Sequence, residues 1–144
     1  MRVPIFQIDA FTNQRFRGNP AAVMVLPHFL DDAVMQAISA ENNLAETAFL
    51  VVRSEQYHLR WFTPTMEVPL CGHATLATAA VVMERLKPGL DEVVFHTASG
   101  ALPVVRAGDR YVMDFPSRPS VRVAVPPGLA EALGVAPQEV RSNE

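Results

Sequence analysis

Residues 60–83, RWFTPTMEVPLCGHATLATAAVVM, decide the fold of this chain. A polar segment bounded by prolines leads into Cys71-Gly72-His73, where a helix begins that is almost wholly apolar. The first backbone N–H groups of a helix have no partners within it, and they carry a partial positive charge that binds anions. His73 adds a group that can give or take a proton. The stretch therefore predicts an anion site beside a proton-transfer group.

Outward from this stretch, apolar runs predict short strands and one further helix. The second helix is expected to begin at Asp31 or Asp32 and to end at Asn42-Asn43. Because an all-apolar helix has to be enclosed, we expect an α+β fold with a curved, mainly antiparallel, barrel-like sheet around the helix of residues 72–86. The alternating or continuous apolar runs that favour strands are residues 3–9, 21–26, 47–52, 56–62, 93–96, 102–105 and 111–115.

Length and composition limit the class of protein. The chain has 144 residues, 49% of them hydrophobic, which is enough for one domain with a real core and short for two. A net charge of -3 without a basic run gives no sign of nucleic acid or an anionic membrane surface as a partner. No secretory signal or membrane-spanning stretch is recognised, and a single cysteine is typical of a reducing compartment. We expect a soluble cytoplasmic protein.

The composition of the sequence changes after Phe115, where prolines become frequent. Residues 1–116 are predicted to form one lobe around the apolar helix, and residues 117–144 to form a proline-rich linker with a short amphipathic helix at residues 129–133. Nothing after that helix resembles a second core. The chain is expected to end where a second lobe should begin.

Few residues are candidates for a catalytic or ligand-binding role. Glu46 precedes an apolar strand, where it is either a general acid–base or a solvated strand end. His73 either acts at the helix terminus or only packs there. Cys71 is either a thiol activated by the helix or a small buried hydrophobe. Asn19, in the polar loop of residues 13–19, is a candidate for ligand contact.

The other histidines give no sign of a metal site. His28, His58 and His96 lie far apart in the sequence without the spacing of metal ligands, so we expect no metal. Asp9 is interpreted as structural.

Several motifs in order closely resemble the phenazine-biosynthesis PhzF-like isomerase family. They cover most of residues 3–118 and are DAFT (9–12), FRGNPAAV (16–23), ETAF (46–49), RWFTP (60–64), EVPLCGHAT (67–75) and MDFP (113–116). The resemblance implies a diaminopimelate epimerase-like fold. In that fold two pseudo-symmetric halves each wrap a sheet around a central helix, and the active site lies between the halves.

The resemblance also implies a function and its residues. The expected activity is proton relocation on a small cyclic carboxylic acid, such as trans-2,3-dihydro-3-hydroxyanthranilate, without metal or organic cofactor. The family's acid–base glutamate falls on Glu46, its site histidine on His73 and its helix-terminal glycine on Gly72. In epimerase relatives the position of Cys71 carries one of two catalytic thiols. Family members are expected to be about twice as long, with further site residues in their second half.

Three hypotheses follow from the sequence. The first is a PhzF-like isomerase, active as a homodimer or as part of a longer chain. The second is a non-catalytic binding or assembly module that keeps the anion site. The third is a racemase that pairs Cys71 with its copy across a dimer. Because an isolated half exposes an apolar cleft, self-association is expected whether the chain is a fragment of a longer protein or a natural half-length protein.

Overall fold

The apolar helix and the strands around it form the larger part of the structure. The computed structural model describes residues 2–115 and 117–143. The chain divides between Asp114 and Phe115 into two compact units. Along the first unit the elements are β1 (Ile5–Ala10), β2 (Asn19–Leu26), α1 (Asp32–Asn42), β3 (Glu46–Arg53), β4 (Gln56–Phe62), β5 (Glu67–Val68), α2 (Gly72–Val81), a π-helical turn (Val82–Leu86), β6 (Glu92–Thr97), β7 (Gly100–Ala107) and β8 (Arg110–Met113).

These strands form one mixed sheet. Its order is β1-β2-β3-β4-β6-β7-β8, with β5 paired to β4. The pairs β2–β3 and β4–β6 are parallel, and the other five pairs are antiparallel. The sheet curls into a half-barrel around α2, as predicted. The short strand β5 was not expected, because two residues are too few to show a periodicity.

The main core lies between α2 and the concave face of the sheet. Small side chains let α2 approach the strands closely, and Ala74 and Ala77 are at most 1% exposed. Trp61 and Phe95 fill the space between the strands and the helix, and both are fully buried. Truncation of such an aromatic side chain costs about 3–5 kcal/mol. The enclosure of α2 is therefore a principal source of stability.

A second core covers the other face of the sheet. Helix α1 connects the parallel strands β2 and β3 and packs its buried Met35 against that face. Phe49 and Phe62 meet edge-to-face in this cluster, with ring centroids 5.5 Å apart. Strand β3 thus has α2 on one side and α1 on the other, which explains why its sequence is apolar at consecutive positions.

The helix ends agree with the sequence in most respects. Asn43 adopts the left-handed conformation that ends α1, as predicted, and Asp31 occupies the N-cap position without a side-chain capping hydrogen bond. The expected helix of residues 72–86 is α2 followed by the π-helical turn, in which the N–H of Lys87 bonds to the carbonyl of Val82. No helix in the described part of the chain is long and apolar enough to cross a membrane.

An arginine cluster holds the segment that leads into α2. The guanidinium of Arg60 donates two hydrogen bonds to Glu67, at 2.7 and 2.6 Å, and lies 2.9 Å from Asp32 Oδ1. The rings of Phe29 and Phe62 lie 5.4 and 5.2 Å from the Arg60 guanidinium. The hydrogen bonds to Glu67 are the main cause that raises the pKa of Arg60. This cluster ties β5 to β4 and to the start of α1.

The second unit is small and mostly exposed. It contains two three-residue strands, β9 (Val121–Val123) and β10 (Val140–Ser142), which pair antiparallel, and the helix α3 (Leu129–Leu133). The helix agrees with the prediction, whereas the strands were not expected because each is too short to show alternation. Pro116, the predicted boundary of the first lobe, lies outside the described residues.

Replacing Arg60 by lysine tests the arginine cluster. A lysine cannot make two parallel hydrogen bonds to Glu67, so Arg60→Lys is expected to lower the free energy of unfolding by about 1–2 kcal/mol. The measurement is denaturant unfolding followed by circular dichroism. Arg110→Lys is the matched control, because Arg110 and Asp109 are exposed and 4.0 Å apart, and it should change stability by less than about 0.5 kcal/mol. Equal midpoints for the two variants would contradict the structural role of Arg60.

Candidate active site

Three predicted site residues converge at the start of α2. Nε2 of His73 lies 3.3 Å from Oε2 of Glu46. Nδ1 of the same histidine lies 3.4 Å from Sγ of Cys71. One donor atom from each of the three residues lies within 4.8 Å of the others. Glu46, Cys71 and His73 therefore form one cluster, although Cys71 lies 25 positions after Glu46 in the sequence.

The fold explains why these residues meet. Glu46 is the first residue of β3, where it pairs with Ala21 of β2, and His73 is the second residue of α2. Because α2 packs against β1, β2 and β3, its N-terminus comes to the beginning of β3. The positive end of the helix dipole consequently faces a carboxylate, which is a favourable arrangement.

Burial isolates the cluster from water. His73 is 8% exposed and the side chain of Glu46 is 19% exposed. Glu46 Oε2 and His73 Nε2 face each other without hydrogen-bond geometry, and neither has another hydrogen-bond partner among the residues that the structure describes. Most buried polar atoms in folded proteins are hydrogen-bonded, so this pair is unusual, and its separation of 3.3 Å is within ion-pair distance when the imidazole carries a proton.

The thiol of Cys71 is held in its neutral form. Burial is the largest cause that raises its pKa to about 12, and the nearby Glu46 carboxylate acts in the same direction. The backbone N–H groups of Ala74 and His73 lower the pKa but do not outweigh burial. Cys71 occupies the N-cap position of α2 without a side-chain capping hydrogen bond. The structure thus supports the alternative that Cys71 is a small buried side chain rather than an activated thiol.

The two threonines of α2 satisfy their hydroxyl groups within the helix. Thr75 and Thr78 donate hydrogen bonds to the carbonyls of Cys71 and Ala74, at 2.6 and 2.7 Å. Both threonines are fully buried on a mostly apolar helix. Their hydrogen bonds to carbonyls of the preceding turn offset the cost of burying the two hydroxyl groups.

The remaining predicted contact residues flank the cluster. Gly72 is the first residue of α2, between Cys71 and His73. Asn19 is the first residue of β2, two positions before Ala21, which pairs with Glu46. Asn19 is partly buried and lies on the strand next to Glu46, and among the described residues no hydrogen bond or ion pair joins its side chain to the cluster. Its role as a ligand contact stays a prediction.

The loop of residues 11–18 brings an aromatic ring to the site. Phe11 is 72% exposed, has a φ of 67°, and its ring centroid lies 6.4 Å from that of His73. The carboxylate of Asp9 accepts a hydrogen bond of 2.8 Å from the N–H of Phe16, which agrees with a structural role for Asp9. A Cβ on Gly18 would lie 2.3 Å from the carbonyl oxygen of Ala10, so only glycine lets the loop pass there.

Sequence reasoning did not single out Phe11, although it lies within the DAFT motif. The sequence also gave no sign that two of the histidines, which are far apart in the chain, are neighbours in the fold. His58 and His96 pair on the parallel strands β4 and β6, with ring centroids 5.3 Å apart. They are neighbours only because strands distant in the sequence pair, and no local sequence pattern predicts that pairing.

An open groove lies beside the cluster. It has a volume of about 860 Å³, and Phe11 and other residues of the first loop line it together with the exposed side of α2 and the turn before Tyr111. Glu46, Cys71 and His73 do not line this groove, nor a second cavity of about 400 Å³ beside Tyr57 and His96. The geometry alone thus shows a cluster of groups able to transfer protons at a helix terminus, and it does not place that cluster in either cavity.

Comparison with known proteins finds relatives of this chain and similar structures for its fold. The chain is 54% identical to an uncharacterized isomerase of Pseudomonas aeruginosa, over 100% of this chain and 56% of that protein. Among solved structures, a phenazine biosynthesis protein of the PhzF family from Enterococcus faecalis superposes with a TM-score of 0.88 and 45% identity, over 96% of this chain and 54% of that one. A hydroxyproline epimerase from Agrobacterium vitis, with a TM-score of 0.60 at 10% identity over 86% of this chain and 45% of that one, shares the fold alone.

The chain spans little more than half the length of these relatives. A family model described as phenazine biosynthesis-like protein, PhzC-PhzF, matches residues 8–124. That range includes the whole cluster and the sheet that holds it. The chain therefore belongs to the PhzC-PhzF family of phenazine biosynthesis-like proteins.

Proposed function

We propose that this chain supplies the proton-transfer residues of an isomerase that relocates a proton on a small cyclic carboxylic acid, without metal or organic cofactor. The observation that carries the proposal is the contact of 3.3 Å between Glu46 and His73 at the N-terminus of α2. A carboxylate and an imidazole in reach of each other provide a base and a hydrogen-bond partner for the same substrate.

The chemistry follows from the positions of these groups. The substrate carboxylate binds the free N–H groups at the start of α2, beside Gly72, and Asn19 adds a polar contact. Glu46 removes a proton from one ring carbon and returns it to another carbon on the same face. His73 donates a hydrogen bond to the charge that develops in between. General acid–base catalysis of this kind contributes about 10²–10⁴-fold to the rate.

Family membership supports an isomerase, because relatives are named as such. The side chain of Glu46 keeps 19% of its area exposed at the surface of the first unit, so a complete cleft needs a second wall there. We propose that this wall comes from a second copy of the chain or from the remainder of a longer protein, and that the protein acts in the cytoplasm.

A thiol-based racemase receives less support. Its two bases would have to come from two copies of Cys71, since the chain has one cysteine. A pKa raised to about 12 keeps that thiol neutral at physiological pH.

Isotope exchange distinguishes the hypotheses. In D₂O, with trans-2,3-dihydro-3-hydroxyanthranilate as the probe, the wild-type chain is expected to catalyse deuterium incorporation, measured by proton NMR. Glu46→Gln removes the base and should lower the exchange rate by at least about 100-fold. Cys71→Ser should leave the rate within a few fold of wild type.

Glu41→Gln is the matched control, because Glu41 is an exposed carboxylate on α1 and should not affect exchange. Equal exchange rates in wild type and Glu46→Gln would contradict the proposed base. Loss of exchange only in Cys71→Ser would favour the racemase. Absence of exchange in the wild-type chain and its dimer would favour a binding module.

Alkylation tests the state of the thiol. Because the pKa of Cys71 is raised from 9.0 to about 12, the thiolate is scarce below that pH. At pH 8 iodoacetamide should modify the native chain at least about 100-fold more slowly than the chain unfolded in guanidinium, and the native rate should increase with pH. Mass spectrometry follows the single cysteine in both states. Rapid modification of the native protein would support an activated thiol instead.

Self-association is expected because two aromatic side chains of the first loop are exposed, and one of them, Phe11, lies beside His73. Phe11 and Phe16 are 72% and 94% exposed. Analytical ultracentrifugation should detect a dimer, and the double replacement of both residues by serine should shift the equilibrium toward monomer. Val125→Ser, at a 50% exposed residue of the second unit, is the control. A monodisperse wild-type monomer would contradict the expectation.

A further inference from the structure

The thiol of Cys71 contacts the imidazole that the proposed reaction uses. Sγ of Cys71 lies 3.4 Å from Nδ1 of His73, within hydrogen-bond distance for sulfur, and both residues are buried. Nδ1 has no other hydrogen-bond partner in the part of the chain that the structure describes. The hydrogen bond at one ring nitrogen sets which nitrogen of a neutral histidine carries the proton. The direction of the contact with Cys71 therefore bears on what His73 can donate.

The opposite side of the imidazole indicates that direction. Nε2 of His73 lies 3.3 Å from Oε2 of Glu46, and an ionised carboxylate only accepts hydrogen bonds. A neutral imidazole without a proton on Nε2 would place two lone pairs against each other in a buried site, which is unfavourable. Neutral His73 is thus expected to carry its proton on Nε2, and Nδ1 is then an acceptor.

The thiol has the proton that Nδ1 needs. Burial is the largest cause that raises the pKa of Cys71 to about 12, so its S–H group stays intact at neutral pH. The backbone N–H groups of Ala74 and His73 act on the sulfur lone pairs, which directs the S–H bond away from the helix terminus. Glu46 is a second acceptor near the thiol, but among described side-chain atoms Sγ has hydrogen-bond geometry with Nδ1 alone.

We propose that Cys71 is a positioning residue, whose S–H donates a hydrogen bond to Nδ1 of His73 and holds the imidazole with its N–H at Nε2. The use of that N–H in catalysis rests on the proposed function. Nε2 lies near Glu46 but outside hydrogen-bond geometry with it, so the N–H remains available to the charge that develops on the substrate. The thiol keeps its proton throughout, so this role needs only the one cysteine of the chain.

Raman spectroscopy tests the contact without an activity assay. The chain has one cysteine, so the S–H stretching band reports on Cys71 alone. Donation of a hydrogen bond lowers the wavenumber of this band, which should lie lower in the native chain than in the chain unfolded in guanidinium. His73→Leu removes the acceptor and should raise the wavenumber, whereas Glu46→Gln should leave it in place.

Thr78→Ala is the matched control, because it removes another buried hydrogen bond of α2, from Thr78 to the carbonyl of Ala74. The S–H band should not move in this variant, and circular dichroism checks that each variant is folded. A native band at the wavenumber of the unfolded chain would overturn the proposal. A band that moves in Glu46→Gln and not in His73→Leu would assign the S–H to the carboxylate and overturn it as well.

Nitrogen NMR of the ¹⁵N-labelled chain locates the proton on the imidazole. At the alkaline end of a pH titration, His73 should carry its proton on Nε2. Cys71→Ala should shift the Nδ1 signal toward that of an acceptor without a donor, and Cys71→Ser, which keeps a hydroxyl donor, should restore it. The signals of His28, His58 and His96 are the internal controls and should not change. A proton on Nδ1 of the wild type, or an Nδ1 signal unchanged in Cys71→Ala, would contradict the proposal.

Deuterium exchange tests the consequence for the reaction. Cys71→Ala should lower kcat by about 10–100-fold with little change in KM, because the imidazole loses its fixed orientation in the transition state. Cys71→Ser should recover most of the rate, which a loss of packing alone would not explain. Equal kcat in Cys71→Ala and wild type would overturn the positioning role. Absence of exchange in the wild type would count against the proposed function alone, because the Raman and NMR signals still decide whether the thiol holds the imidazole.

Discussion

The rest of the structure depends on the enclosure of one helix. Helix α2 carries no charged side chain, and its two threonine hydroxyls bond back to its own carbonyls. Such a helix is stable only when protein covers most of its surface, because each apolar face left in water costs about 25 cal/mol per Å². The half-barrel is the arrangement by which eight short strands provide that cover.

Enclosure of the helix also creates the candidate site. Covering the body of α2 leaves its N-terminus at the rim of the half-barrel, where β3 begins. The strand brings a carboxylate to that rim and the helix brings an imidazole. The packing that stabilises the fold therefore places Glu46 and His73 in contact, and the helix dipole favours an anion at the same point.

The same burial decides what each group can do. It keeps the Cys71 thiol neutral and leaves two polar atoms of Glu46 and His73 facing each other without a hydrogen bond. A buried carboxylate beside an imidazole is an arrangement that suits proton transfer. Relatives nearly twice as long match this chain along almost its whole length.

The sequence by itself determined most of the elements of this protein, but not its shortest strands. Local periodicity indicated the strands, the all-apolar run indicated the enclosed helix, and motifs indicated the family, since these signals lie between residues close together in the chain. Only the tertiary structure decided which elements are neighbours. The parallel pairing of β2 with β3 and of β4 with β6 set Glu46 beside α2 and His58 beside His96, because contacts between distant residues leave no local pattern. Burial, and hence the neutral state of Cys71, was likewise decided only when the chain was packed.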